Sequence, residues 1–229
     1  MPTAELSVIV MAFNEVGSLR PTVSEIVCTL ESLHREYEVI IVDDGSTDGT
    51  AEVADAVASE NSRLRVVHHA ANQGLGGVYR TGFASARGTF LTFFPADGQF
   101  PADIIGDFVP RMATNDLVLG YLPSRNDSLI GKALSGVERV LYAGLFGRLP
   151  KFQGVFMARR ELLVALPLRS SGRGWAILME FIIRGVRQQW RVQSVATSVR
   201  PRAIGHSKVN NVRNIASNFM QMVALRRLL

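Results

Sequence analysis

The sequence predicts an α/β fold, Rossmann-like, with a mainly parallel sheet flanked by helices in a single domain. Two observations carry this. Short β-branched runs alternate with helical stretches through the first 120 residues, and strand–helix–strand at this spacing means right-handed crossovers. The runs are also apolar on both faces, as expected for strands covered on both sides.

Leu6–Met11 reads as the first strand, followed by Glu38–Val42, Arg65–His68, Thr89–Phe94 and Asp116–Leu119. Helical patterns fall near 20–33, 50–60, 76–86 and 101–113. After residue 120 the pattern loosens. A helix is expected over 129–146, a short strand at Gly154–Met157, helices at 160–166 and 176–187, and a strand at Arg191–Val195 that Trp190 starts. The final stretch, 209–229, is helical with apolar residues at Val212, Ile215, Phe219, Met222 and Val223. That stripe packs either on the chain's own core or on a membrane surface or membrane-protein partner. No linker divides the chain, so one domain spans 1–229.

The 229 residues suffice for one sizeable core, and 47% are hydrophobic. No basic leader precedes an apolar stretch, and no uncharged apolar run approaches the roughly 20 residues of a membrane span. The single cysteine, Cys28, cannot form an internal disulfide and is expected to be a buried small residue. The expected location is cytoplasmic, or peripheral at the inner face of the membrane. The sequon at Asn126 is expected to go unused there.

Charge is segregated. Residues 1–120 hold 7 Arg and 16 Asp or Glu, a net of −9; residues 121–229 hold 18 Lys or Arg and 4 Asp or Glu, a net of +14. A basic half of this kind suits an anionic lipid or a phosphorylated substrate. Nucleic acid is disfavoured, because the basic half lacks interleaved aromatic residues for base stacking.

In open parallel sheets ligands bind beyond the carboxyl ends of the strands. The second strand ends in Asp43-Asp44-Gly45-Ser46-Thr47-Asp48-Gly49-Thr50. Adjacent carboxylates repel and are costly as structure, yet suit a base N–H and ribose hydroxyls; Asp48 or Thr50 caps the next helix. The first strand ends in Phe13-Asn14-Glu15, where a turn residue and a first-turn acid are the plain alternative. The third is followed by Asn72-Gln73-Gly74-Leu75-Gly76, a glycine-rich loop able to approach a ligand closely. The fourth ends in Pro95-Ala96-Asp97-Gly98-Gln99. A carboxylate and an amide oxygen there can share a hard divalent cation that also holds two phosphates.

In this order and spacing the four elements resemble glycosyltransferase family 2, and most of all its polyprenyl-phosphate sugar synthases. The resemblance runs over nearly the whole chain, and the Asp-Asp-Gly-Ser-Thr-Asp-Gly-Thr element is its most specific part. It implies the GT-A fold, a UDP- or GDP-hexose donor, Mg²⁺ or Mn²⁺, and inversion at the anomeric carbon. Implied donor residues are Phe13, Asn14, Glu15, Asp43, Asp44, Asn72, Gly74, Ala96 and Asp97, with Asp97 and Gln99 on the metal. Met11 replaces the family's usual Pro, and Pro95 replaces the first Asp of its Asp-Ala-Asp motif, which implies lower metal affinity.

In the basic half, Gly120–Arg125 resembles the family's Gly-x-Arg segment with the Arg displaced, and Arg202-Ala-Ile-Gly-His-Ser207-Lys208 its Arg-x-x-Gly-x-Ser-Lys. Arg125, Lys132, Arg202, Ser207 and Lys208 are the expected grip on an acceptor phosphate, and Asp97, Arg202 and Lys208 the expected catalytic set. His206 joins that loop. An ionised lipid phosphate needs no general base, whereas a sugar hydroxyl does. Polyprenyl phosphate is therefore the expected acceptor. A saccharide hydroxyl acceptor remains the alternative, as does a nucleotide-sugar binder without turnover, which Pro95 would suit. Glu180 either orients a basic residue, binds acceptor or forms a buried salt bridge. Arg187-Gln-Gln-Trp190-Arg191 has the letters of the polysaccharide-synthase motif in the wrong order.

Overall fold

The computed structural model describes residues 4–123, 144–201 and 212–229, the last with its side chains from Met220 onward. The described strands are β1 (Leu6–Ala12), β2 (Tyr37–Asp43), β3 (Leu64–His68), β4 (Phe90–Pro95), β5 (Leu117–Tyr121), β6 (Phe156–Arg159) and β7 (Val192–Ala196). The described helices are α1 (Leu19–Ser32), α2 (Thr50–Ser59), α3 (Gly74–Ser85), α4 (Asp103–Phe108), α5 (Glu161–Ala165), α6 (Ala176–Arg187) and α7 (Val212–Leu228). The strands form one sheet in the order β3-β2-β1-β4-β6-β5-β7. Only β6 runs against its neighbours, β4 and β5.

Every residue of β2 is buried, and so is all of β1 but Met11. Their side chains alternate between two cores, as the pleat requires. Val8, Val10, Val39 and Ile41 pack with Leu19, Val23, Ile26 and Leu30 of α1 and with Phe108. Ile9, Ile40 and Val42 pack on the other face with Tyr79, Phe93, Phe156 and Phe181. A strand buried on both faces has to be apolar throughout, which is why these runs lack polar alternation.

The observed strands lie within two residues of those the sequence predicts. The 101–113 helix divides into α4 and a 3₁₀ turn, Val109–Ala113, because Pro110 has no N–H for an α-helical bond. β6 starts at Phe156, two residues late, since Gly154 takes φ +109°. Trp190 starts no strand; it packs over Gly185 and meets Phe181 edge-on at 5.3 Å. Cys28 is exposed rather than buried. It lies about 200° around the helix from both Ile26 and Leu30, which face the core.

The expected 129–146 helix falls mainly outside the described residues. The C-terminal turns of α7 pack on α6 through Met222 and Leu225, beside Ala176 and Ile183. Among the described residues, no helix is long and apolar enough to cross a membrane.

Candidate active site

The parallel register fixes the site. Ala12 pairs with Asp43, and Met11 pairs with both Val42 and Pro95. The segments 13–15, 43–50 and 96–99 therefore leave three adjacent strands on one rim. At about 4.8 Å per strand, β2 and β4 stand about 10 Å apart.

The first two segments are stitched together. Asn14, at φ +53°, donates its N–H to Ser46 Oγ at 2.9 Å and accepts the Thr47 N–H at 2.8 Å. Glu15 N–H donates to Thr50 Oγ1 at 2.8 Å, and Val16 N–H to Asp48 Oδ2 at 3.3 Å. Asp48 Oδ1 accepts the Thr50 N–H at 3.1 Å, but neither Asp48 nor Thr50 is the expected cap: the N-cap is Gly49, at φ +92°, and it makes no side-chain cap bond. Burial alone would raise the Asp48 carboxyl, but these hydrogen bonds outweigh it and hold it below its ordinary range.

Asp43 and Asp44 are buried, with side chains 3% and 4% exposed. Asp43 Oδ1 accepts the Ser46 N–H at 3.1 Å, and Oδ2 meets His68 Nδ1 at 3.0 Å. Asp44 Oδ1 meets His69 Nδ1 at 2.7 Å and accepts the Gln73 N–H at 2.8 Å; Oδ2 accepts the Gly74 N–H at 2.9 Å. A carboxylate offers roughly four lone-pair sites. Asp44 spends three of them on the chain, Asp43 two.

The glycine-rich loop departs from expectation. Its close approach is to the chain's own backbone. A Cβ on Gly76 would overlap the Gly172 carbonyl oxygen, and Gly76 N–H donates to the Arg173 carbonyl at 2.8 Å. Arg173 also donates to Asn72 Oδ1 at 2.6 Å. A loop of the basic half thus packs on Asn72, Gly74 and Gly76.

At the end of β4, Asp97 Oδ1 accepts the Gln99 N–H at 3.1 Å. Gln99 Nε2 donates to the Arg200 carbonyl at 3.4 Å, and Arg200 N–H to the Gln99 carbonyl at 2.7 Å. Arg200 then pairs with Glu25 on α1 at 2.9 Å. Burial would raise the Glu25 carboxyl; Arg200 and the Ala102 N–H outweigh it and lower it. Asp97 and Gln99 offer hard oxygens two residues apart, a donor set that fits Mg²⁺ or Mn²⁺ completed by phosphate and water. No group of three His, Cys, Asp or Glu suited to a metal occurs among the described residues.

Glu180 is fully buried and accepts N–H bonds from Arg169 at 3.0 Å and Ser170 at 2.8 Å, and from Arg184 Nε at 2.8 Å. Burial pushes its carboxyl up, and these donors more than reverse that. The expected acceptor residues Arg125, Lys132, Arg202, Ser207 and Lys208, with His206, lie outside the described residues. Arg200, two positions before Arg202, is pinned at Gln99.

Four residues toward this rim carry no local signal of a site in the sequence: His68, His69, Arg173 and Lys151. Lys151 Nζ sits 5.1 Å from the ring centroid of Tyr121, at the end of β5. The β2–β3 register, Asp43 opposite His68, is the signal that could have found the histidines.

Residues 7–161 match the family described as glycosyl transferase family 2. The chain belongs to glycosyltransferase family 2. Among curated family 2 relatives it is 31% identical to glycosyltransferase AglD of Haloferax volcanii over 92% of this chain and 35% of that one. It is 28% identical to undecaprenyl-phosphate mannosyltransferase of Micrococcus luteus (88% and 86%) and 27% to dolichol-phosphate mannosyltransferase of Pyrococcus furiosus (90% and 59%). Against AglD the chain spans about a third of the relative's length. In structure it is similar to glucosyl-3-phosphoglycerate synthase of Mycobacterium tuberculosis, solved with Mn²⁺, UDP and phosphoglyceric acid. The TM-score is 0.70 at 21% identity, over 96% of this chain and 78% of that one. That likeness shows the GT-A fold.

Proposed function

We propose that this chain transfers a hexose, with inversion, from a UDP- or GDP-hexose to a polyprenyl phosphate. The observation that carries the proposal is the convergence of Phe13–Glu15, Asp43–Asp44 and Ala96–Gln99 on one rim of a family 2 sheet. The relatives named for undecaprenyl- and dolichol-phosphate sugar transfer support the acceptor, and the UDP in the solved neighbour supports the donor class.

In this reading residues 1–120 are the nucleotide-sugar half and 121–229 the acceptor half. Asp44, with one lone-pair site left, takes a base N–H; Asp43 and the Asn14–Glu15 turn take ribose hydroxyls; Asn72, Gly74 and Ala96 shape the pocket. Mg²⁺ or Mn²⁺, held by Asp97 and Gln99, supplies positive charge to the diphosphate leaving group. Arg202, Ser207 and Lys208, with Arg125 and Lys132, position the ionised acceptor phosphate. Such an acceptor suits a cytoplasmic protein that is peripheral at the inner face of a membrane.

Buried and committed to Arg184 and the 169–170 backbone, Glu180 is not the general base that a hydroxyl acceptor would need. Pro95 favours one other reading, a nucleotide-sugar binder without turnover.

The test offers labelled UDP- and GDP-hexoses with a short polyprenyl phosphate or the matching polyprenol. Label in the phosphate alone supports the proposal. Label in the polyprenol or an added oligosaccharide overturns it.

A further inference from the structure

Two histidines at the end of β3 meet the two aspartates at the end of β2, and they differ in kind. His69 is buried, with Nδ1 on Asp44 and Nε2 2.7 Å from Thr81 Oγ1. A hydroxyl can donate, so a neutral ring satisfies both neighbours. His68 has carboxylates on both sides: Asp43 Oδ2 at 3.0 Å from Nδ1, and Asp55 Oδ1 at 3.1 Å from Nε2. Carboxylates only accept, so both contacts are hydrogen bonds only when both ring nitrogens carry protons.

We propose that His68 is a positioning residue for the donor: its imidazolium braces Asp43 from β2 against Asp55 from α2, and nucleotide-sugar binding weakens when it loses its proton. The proposal rests on the donor reading of Asp43 and Asp44 above. Asp43 and Asp44 are adjacent like charges, and the imidazolium offsets their repulsion. Without it, Asp43 loses its brace and the rim gains a net negative charge facing a diphosphate.

The neighbours support a protonated ring. The hydrogen bond to Asp43 raises the His68 pKa above its ordinary value; burial opposes this, and Asp55 adds to it. Among the described residues, Asp43 and Asp55 are the charged groups that face the ring. Asp55 is well exposed, 67% by side chain, and lies outside the proposed donor residues.

The experiment is calorimetric binding of UDP-glucose and GDP-mannose in Mg²⁺ from pH 6 to 8.5. These diphosphate diesters do not titrate in that range, and a parallel NMR titration follows the His68 ring. Wild-type affinity is expected to fall about three- to tenfold as His68 deprotonates, equivalent to a half to one unit of coupling. Asp55→Asn moves both the affinity midpoint and the ring titration to lower pH. His68→Gln, whose amide still donates to Asp43, binds with a flat profile. Flat wild-type affinity while the ring titrates overturns the proposal, as does an unmoved midpoint in Asp55→Asn. Failure of any nucleotide-sugar to bind at any pH instead contradicts the donor reading on which it stands.

Discussion

Met11 and Pro95 are register partners across the β1–β4 ladder. They are also two of the positions at which this chain departs from the pattern it resembles. Pro95 is tolerated there because Ala96, not residue 95, donates to the Met11 carbonyl at 2.9 Å. The backbone of residue 95 faces the β6 side, where pairing with β6 has already ended at Thr92.

Pro95→Asp should therefore fold with a stability change within about 1 kcal/mol, since no ladder bond is at stake. A second carboxylate beside Asp97 should tighten Mn²⁺ binding by about tenfold. Calorimetric Mn²⁺ titration of the two proteins measures this; equal affinity would mean that residue 95 does not reach the metal.

Asp44→Asn should cost about 2–3 kcal/mol in urea unfolding. One amide oxygen cannot accept from Gln73 N–H, Gly74 N–H and His69 together, and its NH₂ would face a backbone donor. Nucleotide-sugar affinity should fall more than about tenfold in the same variant. Unchanged stability would show that the 72–74 loop is held by something else.

Gly76→Ala should destabilise by about 3 kcal/mol, because the methyl group would overlap backbone at residue 172 and cannot be relieved by a side-chain rotation. Urea unfolding with catalytic parameters on the residual folded protein tests it. A stable Gly76→Ala would mean the 172–174 loop yields easily.

Glu180→Gln should lower stability by about 3 kcal/mol while sugar transfer per folded molecule persists. The Glu180 carboxyl is lowered in the folded state. Its stabilisation is thus present above the ordinary carboxyl range and lost as pH falls through the lowered value. The variant should show a shallower loss of stability in acid, measured by thermal melts from pH 3 to 7. Abolished transfer with normal melting would instead mark Glu180 as part of the chemistry.

The sheet and its rim were readable in the sequence because strands buried on both faces leave continuous apolar runs. Asp43, Asp44, Asp97 and Gln99 were readable for the same reason: each follows such a run. Cys28 was expected inside and lies outside, although the stripe at Leu19, Val23, Ile26 and Leu30 leaves position 28 on the solvent face. What the sequence hid depends on pairing between distant segments. The antiparallel insertion of β6 between β4 and β5, the packing of Gly172–Gly174 on Gly76, and His68 beside Asp43 follow from register and topology rather than from local pattern.

The measurement that tests the central claim most directly is transfer of labelled sugar to a short polyprenyl phosphate, in Mn²⁺ and in EDTA, for wild type beside Asp97→Ala and Lys208→Ala. The account predicts labelled lipid that depends on metal and is lost in both variants. Equal product in EDTA, or none at all while nucleotide-sugar still binds, would contradict it.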